Sequence, residues 1–332
     1  MPIDIIQKIK NTNLLGRGGA GFSTALKWEI FKAAKGNLKY IVCNASEGDP
    51  QLSKDDYILQ HHLKDVIHGI EIALNCFPGS RAYFYLKKDY YKKYATPIKK
   101  IVKNLSIAPF EKPGHYLAGE ETAILEAIEG KSPEPRPKPP YPSERGIFGK
   151  PTLINNVETF YFVSQIAKNR YDGERFYCLS GDVKNKGVFK LKDKQTIKEI
   201  FKETKNLPQH EFFVQSGGTL GEFLLENEID QPVNGLGSIV VYDERITNPV
   251  LLARKILKFV IYQNCDKCTP CREGTYRLFE EFFKKKLDKK NFTDLFSVLE
   301  DTALCPLGII AGSSISSLYT KLIDGKTNIK NK

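Results

Sequence analysis

The sequence predicts an α/β domain with a mostly parallel sheet, followed by a small α+β module and a C-terminal helical bundle. Short apolar runs alternate with helix-like segments in the first half of the chain. Several strand-like segments then surround a single helix, and the apolar spacing becomes helical beyond Asn248. These changes place the predicted domains at residues 1–170, 171–247 and 248–332.

The parallel sheet is predicted from three segments of the first domain. Residues 39–43 form a short apolar run that ends at Asn44, which is typical of a buried strand. Residues 63–74 have apolar side chains at helical spacing, and residues 81–86 predict the next strand. Because two parallel strands need a long crossover between them, this order predicts βαβ connections.

The second module combines strands with one well-marked helix. Thr196 and Glu199 form a capping-box pattern, which predicts that a helix begins there. The strands predicted around it cover residues 176–181, 187–191, 212–215 and 238–242. The helices predicted for the C-terminal bundle cover residues 250–262, 274–286 and 291–302.

Composition and charge narrow the class of protein. The 332 residues carry a net charge of +11, but the basic residues are spread widely and match no nucleic-acid-binding motif. We therefore expect no nucleic-acid partner, and we interpret the basic stretch 87–103 as a solvated surface. No apolar run reaches the roughly 18 residues that a membrane span needs, and the N-terminus does not resemble a secretory signal. The seven cysteines do not resemble a disulfide framework, which favours the cytoplasm.

Four of these cysteines are the most informative feature of the chain. Cys265, Cys268 and Cys271 are separated by two residues each, and Cys305 follows after a gap of 33 residues. Four thiolates in this kind of pattern usually hold a [4Fe–4S] cluster. Zinc is the alternative, although four-cysteine zinc sites favour paired Cys-x2-Cys knuckles. The spacing therefore favours the cluster and, with it, an electron-transfer protein.

A glycine-rich segment near the N-terminus is the first candidate binding loop. Residues 16–22 contain a G-x-G-x-x-G pattern, and the helix-like segment that follows carries Lys27. No convincing strand precedes the pattern, so it is not a dinucleotide fingerprint. A flexible loop is the alternative. We interpret the exposed backbone N–H groups beside Lys27 as a binding loop for a phosphate or an aromatic cofactor.

Three later segments strengthen this interpretation. Glu120 and Glu121 follow Gly119 at the predicted start of a helix, where acidic side chains commonly stabilise the helix dipole. Asn155 and Asn156 offer amide side chains that recognise phosphate and hydroxyl groups. Residues 131–142 contain six prolines in twelve positions. This segment reads either as a disordered linker or as an ordered loop across a site, and the motifs on both sides favour the loop.

Together and in this order, the segments resemble the NADH-oxidising flavoprotein subunit of respiratory complex I and the related subunits of NAD-linked hydrogenases and formate dehydrogenases. The resemblance extends from about residue 15 to residue 307. It rests on the motifs GRGGAGF at 16–22, IVCNASEGDP at 41–50, GEETA at 119–123, PRPKPPYP at 135–142, GKPTLINNVET at 149–159 and CDKCTPCREGT at 265–275. Six motifs in one order are a specific signal for this family.

The resemblance implies an FMN-binding α/β domain, a β-grasp module and a helical bundle that carries the cluster. It implies an NADH dehydrogenase in which hydride passes from NADH to FMN and single electrons leave through the cluster. The residues it assigns to FMN are Gly16, Arg17, Gly18, Lys27, Asn44, Ser46, Glu47, Tyr116, Gly119, Glu120, Asn155 and Asn156. Those it assigns to NADH are Phe22, Glu121, Lys138 and Tyr141, and Asp49 is a further cofactor-binding candidate.

Two consequences of this assignment concern specificity and chemistry. Glu121 is expected to lie by the adenosine ribose and to disfavour NADPH, because its charge would repel a 2′-phosphate. No residue is expected to act as a general acid or base, since a hydride transfer needs none.

The sequence departs from the family pattern at Ser46, Gln51 and Ile30, where aspartate, glycine and an aromatic residue are usual. These differences motivate a second hypothesis, a relay subunit that keeps FMN and the cluster but takes electrons from a protein instead of NADH. A third hypothesis is a zinc-bound scaffold without a redox role. The resemblance also implies partners, namely a thioredoxin-like [2Fe–2S] subunit and further iron–sulfur subunits of a larger complex. Such a complex would lie in the cytoplasm or at the inner face of the membrane, and its terminal acceptor is quinone, protons or CO2.

Overall fold

The computed structural model describes residues 4–284 and 287–324. The last two residues of the helix predicted at 274–286 therefore lie outside the described residues. The chain divides into two compact units, and the finer prediction of three domains with boundaries near residues 170 and 247 stays a prediction. The first unit comprises Met1–Gly48, Leu52–Phe176 and Lys190–Asp193, and the second comprises Asp49–Gln51, Tyr177–Phe189 and Lys194–Lys332.

A parallel sheet forms the first unit, as the sequence predicts. Its strands in the described residues are β1 (Tyr40–Ala45), β2 (Arg81–Leu86), β3 (Ile107–Glu111) and β4 (Thr152–Asn156). Their order across the sheet is β3-β2-β1-β4, and each neighbouring pair is parallel. β1 and β2 confirm the predicted strands. β3 and β4 were not predicted, because β3 contains Pro109, which only an edge strand tolerates, and β4 was interpreted only as a binding motif.

Helices connect these strands. The helices of the first unit in the described residues are α1 (Ile5–Asn11), α2 (Thr24–Ala33), α3 (Lys54–Cys76), α4 (Lys88–Ile101), α5 (Glu121–Ile128) and α6 (Val157–Ala167). Short 3-10 turns occur at Tyr116–Gly119 and Ile147–Gly149. The predicted helix at 63–74 is the second half of α3, which bends at His62. The predicted helix that carries Lys27 is α2.

The basic stretch 87–103 folds mostly as α4 and is amphipathic. Tyr90 and Tyr94 are buried, and their hydroxyl groups donate hydrogen bonds of 2.6 Å to the carboxylates of Glu47 and Asp56. The interpretation as a solvated surface is therefore correct for the exposed lysines, such as Lys92, and wrong for these two tyrosines. Spacing of four residues places both rings on the inner face of the helix.

The strand order decides where a ligand can bind in the first unit. The chain runs outward from β1 to β2 and β3, then returns to add β4 on the other side of β1. All four strands are parallel, so their carboxyl ends share one edge of the sheet. Open α/β sheets bind ligands at this edge, where the strand order reverses. The reversal lies between β1 and β4, and there Asn44 is in register with Asn156.

Two close contacts show how the helices cover the sheet. Ile124 of α5 is fully buried in a cluster with Val42 and Ile154 of the sheet, and burial of such a side chain contributes roughly 1.5–3 kcal/mol. Helices α3 and α6 meet at Gly69, where an added Cβ would lie 2.0 Å from the carbonyl oxygen of Phe160. Only glycine allows the two helix backbones to approach so closely.

A mixed sheet forms the centre of the second unit. The elements in the described residues are β5 (Glu174–Gly181), β6 (Gly187–Lys192), α7 (Ile197–Thr204), β7 (Phe212–Ser216), β8 (Glu222–Leu225) and β9 (Ser238–Asp243). Residues 174–176 of β5 and 190–192 of β6 are counted in the first unit. The strand order is β6-β5-β9-β7-β8, with β5 parallel to β9 and β7 antiparallel to both of its neighbours. The structure confirms four of these strands as predicted and adds β8. The capping box of Thr196 and Glu199 is present in both directions.

The rest of the second unit is helical up to Asp324. The helices are α8 (Pro249–Gln263), α9 (Thr269–Glu281), α10 (Lys289–Thr302) and α11 (Pro306–Leu318), followed by a π-helical turn at Tyr319–Asp324. α9 begins five residues before the predicted start, because Pro270 fits the first turn of a helix. Within the described residues, no helix combines the length and the apolar character that crossing a membrane requires.

Candidate functional site

Hydrogen bonds join three of the predicted site residues beyond the end of β1. The Asn44 side-chain amide donates to the carbonyl oxygen of Gly119 at 3.1 Å. Its side-chain oxygen accepts from the backbone N–H of Ser46 at 3.1 Å and from the Ser46 hydroxyl at 2.5 Å. An added Cβ on Gly119 would lie 2.5 Å from that hydroxyl oxygen. Asn44, Ser46 and Gly119 therefore form one close-packed wall of the site.

Asn155 and Asn156 are held at the end of β4. The Asn155 side-chain oxygen accepts from the indole N–H of Trp28 at 3.1 Å. Asn156 caps α6, since its side-chain oxygen accepts from the backbone N–H of Thr159 at 3.1 Å and from the Thr159 hydroxyl at 2.6 Å. Both oxygens are engaged within the protein. The side-chain NH2 groups of both residues, and the second lone pair of the Asn155 oxygen, can still bind a cofactor.

The two ends of the glycine-rich loop are joined by backbone pairing. Leu15 pairs with Ser23 as an antiparallel bridge, and the Gly16 N–H donates to the Phe22 carbonyl oxygen at 2.8 Å. Gly21 has a φ of +64°, and nothing lies within 4 Å of an added Cβ there. An added Cβ on Gly18 would lie 3.7 Å from the Cβ of Asn156. The loop thus presents bare backbone next to the start of α6.

Arg17 is directed into the protein. Its backbone N–H donates to the Thr159 hydroxyl at 3.0 Å, and its guanidinium forms an ion pair of 2.8 Å with Asp193. Burial alone would lower the pKa of Arg17, but Glu158 and Asp193 outweigh it and raise the pKa. The side chain therefore fixes the loop from inside the protein. The predicted contact of Arg17 with FMN stays a prediction.

The acidic pair and two lysines form a charged cluster at the start of α5. Glu120 caps the helix by accepting from the backbone N–H of Thr122 at 2.7 Å. The Lys138 ammonium lies 3.0 Å from Glu120 and 3.1 Å from Glu121, and Lys27 lies 3.3 Å from Glu121. Burial opposes ionisation of Glu121, but Lys27 and Lys138 prevail and lower its pKa. Glu121 is therefore a carboxylate between two cations.

The proline-rich segment is an ordered loop, as the motifs on both sides of it predict. Arg136 forms ion pairs with Glu126 and, at 2.8 Å, with Glu129. The loop leaves the Tyr141 side chain exposed, and the Phe22 ring of the glycine-rich loop is also exposed. Exposed aromatic rings are suitable for stacking on a flat ligand. The assignment of Phe22 and Tyr141 to NADH stays a prediction.

Glu47 belongs to a buried acidic network that continues into α3. Its carboxylate accepts from the Tyr90 hydroxyl at 2.6 Å and from the Asp55 N–H at 3.1 Å. Burial raises the pKa of Glu47 despite these hydrogen bonds. Burial and the neighbouring Glu47 also raise the pKa of Asp55 well above its usual range. Glu47 is predicted from the sequence and Asp55 is not, because nothing local indicates that Asp55 lies inward at the start of α3.

Asp49 lies in the second unit, and its carboxylate is engaged there. One oxygen accepts from the Thr219 N–H at 2.7 Å, and the other accepts from the Thr219 hydroxyl at 2.7 Å and from the Gln51 N–H at 2.9 Å. Gln51 in turn donates to the Tyr242 hydroxyl at 3.1 Å. Both residues therefore have a structural role, and a contact between Asp49 and a cofactor stays a prediction.

The structure adds Lys112, which the sequence analysis missed. Lys112 directly follows β3 and is 94% buried. Its ammonium has two long contacts of 3.4 Å, with the carbonyl oxygens of Ser46 and Tyr116. Burial and the nearby Lys87 lower its pKa to about 8. The signal that could have found Lys112 is its position after a parallel strand, but that strand was not predicted.

The residues present fit an anionic, flat cofactor such as FMN. A buried ammonium that is neutralised by no carboxylate of the described residues is costly unless a ligand compensates it, and Lys112 is such a group. The loop around Gly21 presents bare backbone, and Gly119 admits no side chain. Lys112 and Lys27 supply charge, while Asn44, Ser46, Gly119, Asn155 and Asn156 supply polar groups.

The four cysteines come together in the second unit. Cys271 and Cys305 are buried, whereas Cys265 and Cys268 are half-buried. Burial is the main cause that raises the pKa of Cys271 to about 12, and the neighbouring thiols of Cys268, Cys305 and Cys265 contribute to this rise. An added Cβ on Gly308 would lie 3.4 Å from the Cys271 sulfur. Tertiary structure therefore brings the distant Cys305 to the other three.

The local structure around the cysteines is suited to anionic ligands. Cys268 directly precedes α9, and Cys305 directly precedes α11. A helix N-terminus favours negative charge and thereby a thiolate. Asp266 adopts a left-handed conformation with φ of +56°, and its N–H donates to the Asn264 side chain at 2.6 Å. This turn lets the chain reverse between the first two cysteines.

A separate group of candidate metal ligands lies in the second unit. In the described part of the chain, one group of three or more candidate ligands has all donor atoms within 4.8 Å of one another, and it consists of Asp182, His210 and Asp243. Arg245 pairs with both oxygens of Asp243, at 2.9 and 2.6 Å, so that group is a poor metal site.

Two family models match these two regions. The model of the Nuo51 FMN-binding domain matches residues 9–165. The model of the NADH-ubiquinone oxidoreductase-F iron-sulfur binding region matches residues 251–324. The first range includes the glycine-rich loop and the sheet edge, and the second includes all four cysteines.

Similar proteins are known over most of the chain. The F subunit of the NADH-quinone oxidoreductase of Aquifex aeolicus is 32% identical, and the match covers 96% of this chain and 84% of that protein. The HndC subunit of the NADP-reducing hydrogenase of Solidesulfovibrio fructosivorans is 31% identical over 92% of this chain and 72% of that protein. The crystal structure of an NAD+-reducing [NiFe]-hydrogenase in the H2-reduced state contains a chain that matches with a TM-score of 0.88 at 27% identity. That match covers 95% of this chain, which spans 61% of the hydrogenase chain.

Proposed function

We propose that this chain, which belongs to the family of the F subunits of NADH-quinone oxidoreductases, is the electron-input subunit of a redox complex. It oxidises NADH at a bound FMN and passes the electrons singly to a [4Fe–4S] cluster. The observation that carries the proposal is the convergence of Cys265, Cys268, Cys271 and Cys305 in a chain whose first unit matches an FMN-binding domain.

The division of labour between cofactors and protein is simple. When bound, FMN supplies the change from two-electron to one-electron transfer, and the [4Fe–4S] cluster supplies a one-electron carrier. The chain supplies position and charge. The hydrogen bonds among Asn44, Ser46 and Gly119 fix the wall of the site before any ligand binds, and such preorganisation lets binding energy align the reacting atoms.

Different groups of the proposed site bind the phosphate and the NADH molecule. The bare backbone of the glycine-rich loop and the N-terminus of α6, capped by Asn156, bind phosphate. The exposed rings of Phe22 and Tyr141 stack on the adenine of NADH, and Lys138 and Glu121 contact its ribose or phosphates. Glu120 acts as a positioning residue, because it caps α5 and holds Lys138.

Electrons leave through the second unit. Cys268 and Cys305 provide thiolates at two helix N-termini, and Cys271 and Cys305 are the buried members of the ligand set. Because helix dipoles favour negative charge at these positions, the helices stabilise the anionic cluster with its four thiolate ligands.

The relay hypothesis, in which a protein replaces NADH as the donor, is less favoured. The family of the chain argues for NADH. In addition, two of the departures that motivated the relay have a structural explanation. The Ser46 hydroxyl replaces a carboxylate but still bonds to Asn44, and Gln51 bonds to Gln215 and Tyr242 within the second unit.

We also propose the partners and the compartment. A one-electron carrier needs an acceptor, and the relatives above are named as subunits, so we propose a thioredoxin-like [2Fe–2S] subunit and further iron–sulfur subunits as partners. The complex works in the cytoplasm or at the inner face of the membrane. The spacing of the seven cysteines does not resemble a disulfide framework, which supports a reducing compartment.

The test is anaerobic reduction by NADH of the full-length chain, purified with its cofactors. We expect a yellow-brown protein whose flavin absorbance bleaches when NADH is added, followed by reduction of the cluster. The variant Cys305→Ser is expected to lose most of the cluster signal and to keep flavin bleaching. Cys178→Ser is the matched control, because Cys178 is buried in the same unit but belongs to no ligand set.

Three results would contradict the proposal. A protein without iron and flavin would remove the redox function altogether. Flavin that dithionite bleaches and NADH does not would support the relay. A cluster signal that survives in Cys305→Ser but disappears in Cys178→Ser would mean that the ligand set is wrong.

A further inference from the structure

Lys112 reaches the candidate flavin site from the far strand of the sheet. It follows β3, which is two strands away from β1 in the order β3-β2-β1-β4. Its N–H donates to the Leu86 carbonyl oxygen at 2.7 Å, which ties the backbone to the end of β2. The side chain then extends toward β1, where the ammonium lies 3.4 Å from the Ser46 carbonyl oxygen. The charge thus lies against the wall formed by predicted site residues.

Lys112 differs from other buried cations of the first unit. The Lys54 ammonium lies 2.7 Å from Glu158, and the Arg17 guanidinium lies 2.8 Å from Asp193. No carboxylate among the described residues forms an ion pair with Lys112, and the neighbouring charge that acts on it is the like charge of Lys87. A lysine ammonium has three N–H donors, and two carbonyl contacts at 3.4 Å satisfy them poorly. An electron-rich ligand at this place would complete its surroundings.

The two sides of the sheet edge suit different parts of FMN. The glycine-rich loop and the start of α6 lie at the β4 side, where Gly18 approaches Asn156, and these features bind phosphate. Lys112 follows β3 at the opposite side, about three strand spacings or roughly 14 Å away at its backbone. Its ammonium adjoins Ser46 and Gly48, where an added Cβ would lie 3.5 Å from it. The phosphate therefore belongs to the β4 side and the ring to the side of Lys112.

We propose that the Lys112 ammonium holds a positive charge against the ring of bound FMN and stabilises the reduced flavin. Hydride transfer from NADH adds one proton and two electrons to FMN and releases NAD+, so the flavin gains one negative charge. A buried cation favours the charged product over the neutral oxidised form, because electrostatic interactions are strong where water is excluded. This inference rests on the proposed function, since it requires FMN at this edge of the sheet.

The experiment is a potentiometric titration of FMN bound to the full-length chain, with Lys112→Met and Lys112→Gln compared with the unchanged protein. We expect the ratio of the affinity for reduced FMN to the affinity for oxidised FMN to fall about tenfold or more in both variants. A tenfold change lowers the midpoint potential of a two-electron couple by about 30 mV. The affinity for oxidised FMN should change much less. Lys112→Arg keeps the charge and should recover most of the potential.

Lys39→Met is the matched control. Among the described residues, the Lys39 ammonium also donates hydrogen bonds only to backbone carbonyl oxygens, those of Phe31 and Lys32. It precedes β1 and therefore lies at the opposite end of the strand from Ser46. This variant removes the same charge from the same unit, and the flavin potential should not change. An equal shift in Lys39→Met would show a general charge effect and would overturn the inference.

Other outcomes separate this inference from the proposed function. An unchanged potential in Lys112→Met and Lys112→Gln, with FMN still bound, overturns the role of Lys112 but not the function. The variants could also lose affinity for oxidised FMN while their affinity for riboflavin changes little and the potential does not change. This result would place the ammonium at the phosphate and would also overturn the role of Lys112 at the ring. If the protein without substitutions binds FMN but is not reduced by NADH, the proposed function is wrong. The role of Lys112 can still be tested in that case, because dithionite reduces the bound FMN in the titration.

Discussion

The Lys54 ammonium lies 2.7 Å from the Glu158 carboxylate, and both side chains are almost completely buried. The same ammonium donates to the Arg17 carbonyl oxygen at 3.4 Å. Glu158 also accepts from the Phe176 N–H at 2.9 Å. One buried ion pair therefore connects the start of α3, the glycine-rich loop and the start of α6.

The first prediction concerns this ion pair. Glu158→Gln should lower the free energy of unfolding by about 3–5 kcal/mol, because it leaves the Lys54 charge buried without its partner. The double variant Lys54→Met with Glu158→Gln should recover most of this loss, since neither member of the pair is then charged and the new amide oxygen can still accept from the Phe176 N–H. Urea unfolding followed by circular dichroism measures both. A double variant as unstable as Glu158→Gln would contradict the explanation.

The second prediction concerns the contact between Gly119 and Ser46. Gly119→Ala should lower stability by about 1–3 kcal/mol and weaken FMN binding, because the new Cβ would lie 2.5 Å from the Ser46 hydroxyl oxygen. Ser46→Ala in the same chain removes that oxygen and leaves the Ser46 Cβ at 3.5 Å. The double variant should therefore be more stable than Gly119→Ala. Thermal unfolding and FMN titration test this, and additive losses would refute the steric cause.

The third prediction concerns the pH dependence of the protein without FMN. The pKa of Lys112 is about 8 in the folded state and about 10.4 in an unfolded chain. Unfolding therefore takes up protons between these values, and Lys112 makes the folded protein more stable as pH rises through this window. Below pH 8 the full cost of the buried charge remains, on the order of 3 kcal/mol.

Lys112→Met removes this dependence. The variant should be more stable than the unchanged protein at pH 7, and the difference should shrink as pH approaches 10.5. The quantity to measure is the difference in free energy of unfolding between the two proteins at each pH, so that other lysines cancel. A difference that stays constant from pH 7 to pH 10.5 would show that the pKa of Lys112 is not lowered in the folded state, because the charge of the ammonium is already balanced there.

The fourth prediction concerns the choice between NADH and NADPH. Lys27 and Lys138 both pair with Glu121, so the carboxylate balances two cations in addition to repelling a 2′-phosphate. Glu121→Gln should leave these cations available to a phosphate. The ratio of kcat/KM for NADPH to that for NADH should rise about tenfold, which corresponds to about 1.4 kcal/mol.

Glu129→Gln is the control for this experiment. Glu129 also pairs with a lysine and an arginine, Lys131 and Arg136, but belongs to no predicted cofactor contact. Its ratio should not change. If Glu121→Gln leaves the ratio unchanged as well, then Glu121 does not face the adenosine ribose and its role in specificity is wrong.

Strands and helices were predicted correctly where the local sequence pattern matches the element that the chain forms. The apolar runs of β1 and β2 are buried strands, and the capping box of Thr196 and Glu199 begins α7. Prediction failed where tertiary structure overrides the pattern. β3 contains a proline that only its edge position tolerates. The tyrosines of α4 are core residues in a stretch dominated by lysine, because helical spacing places Tyr90 and Tyr94 inward.

The candidate site shows the same division. The sequence predicted the four cysteines, since their spacing is a local property and the motif around them is specific. It also predicted that acidic and amide side chains accompany the glycine-rich loop. It did not predict that Arg17 points to Asp193, or that Glu121 lies between two lysines. Those partners are far apart in sequence, and no local pattern specifies them.

The sequence by itself determined the family, the cluster ligands and the order of structural elements, because motif spacing and apolar periodicity survive without knowledge of long-range contacts. The tertiary structure alone decided which charges are neutralised. Lys54 pairs with Glu158 inside the protein, whereas Lys112 follows an unpredicted strand and forms no ion pair with a carboxylate of the described residues. The physical reason is that the energy of a buried charge depends on its neighbours in space, and the order of strands in the sheet sets those neighbours.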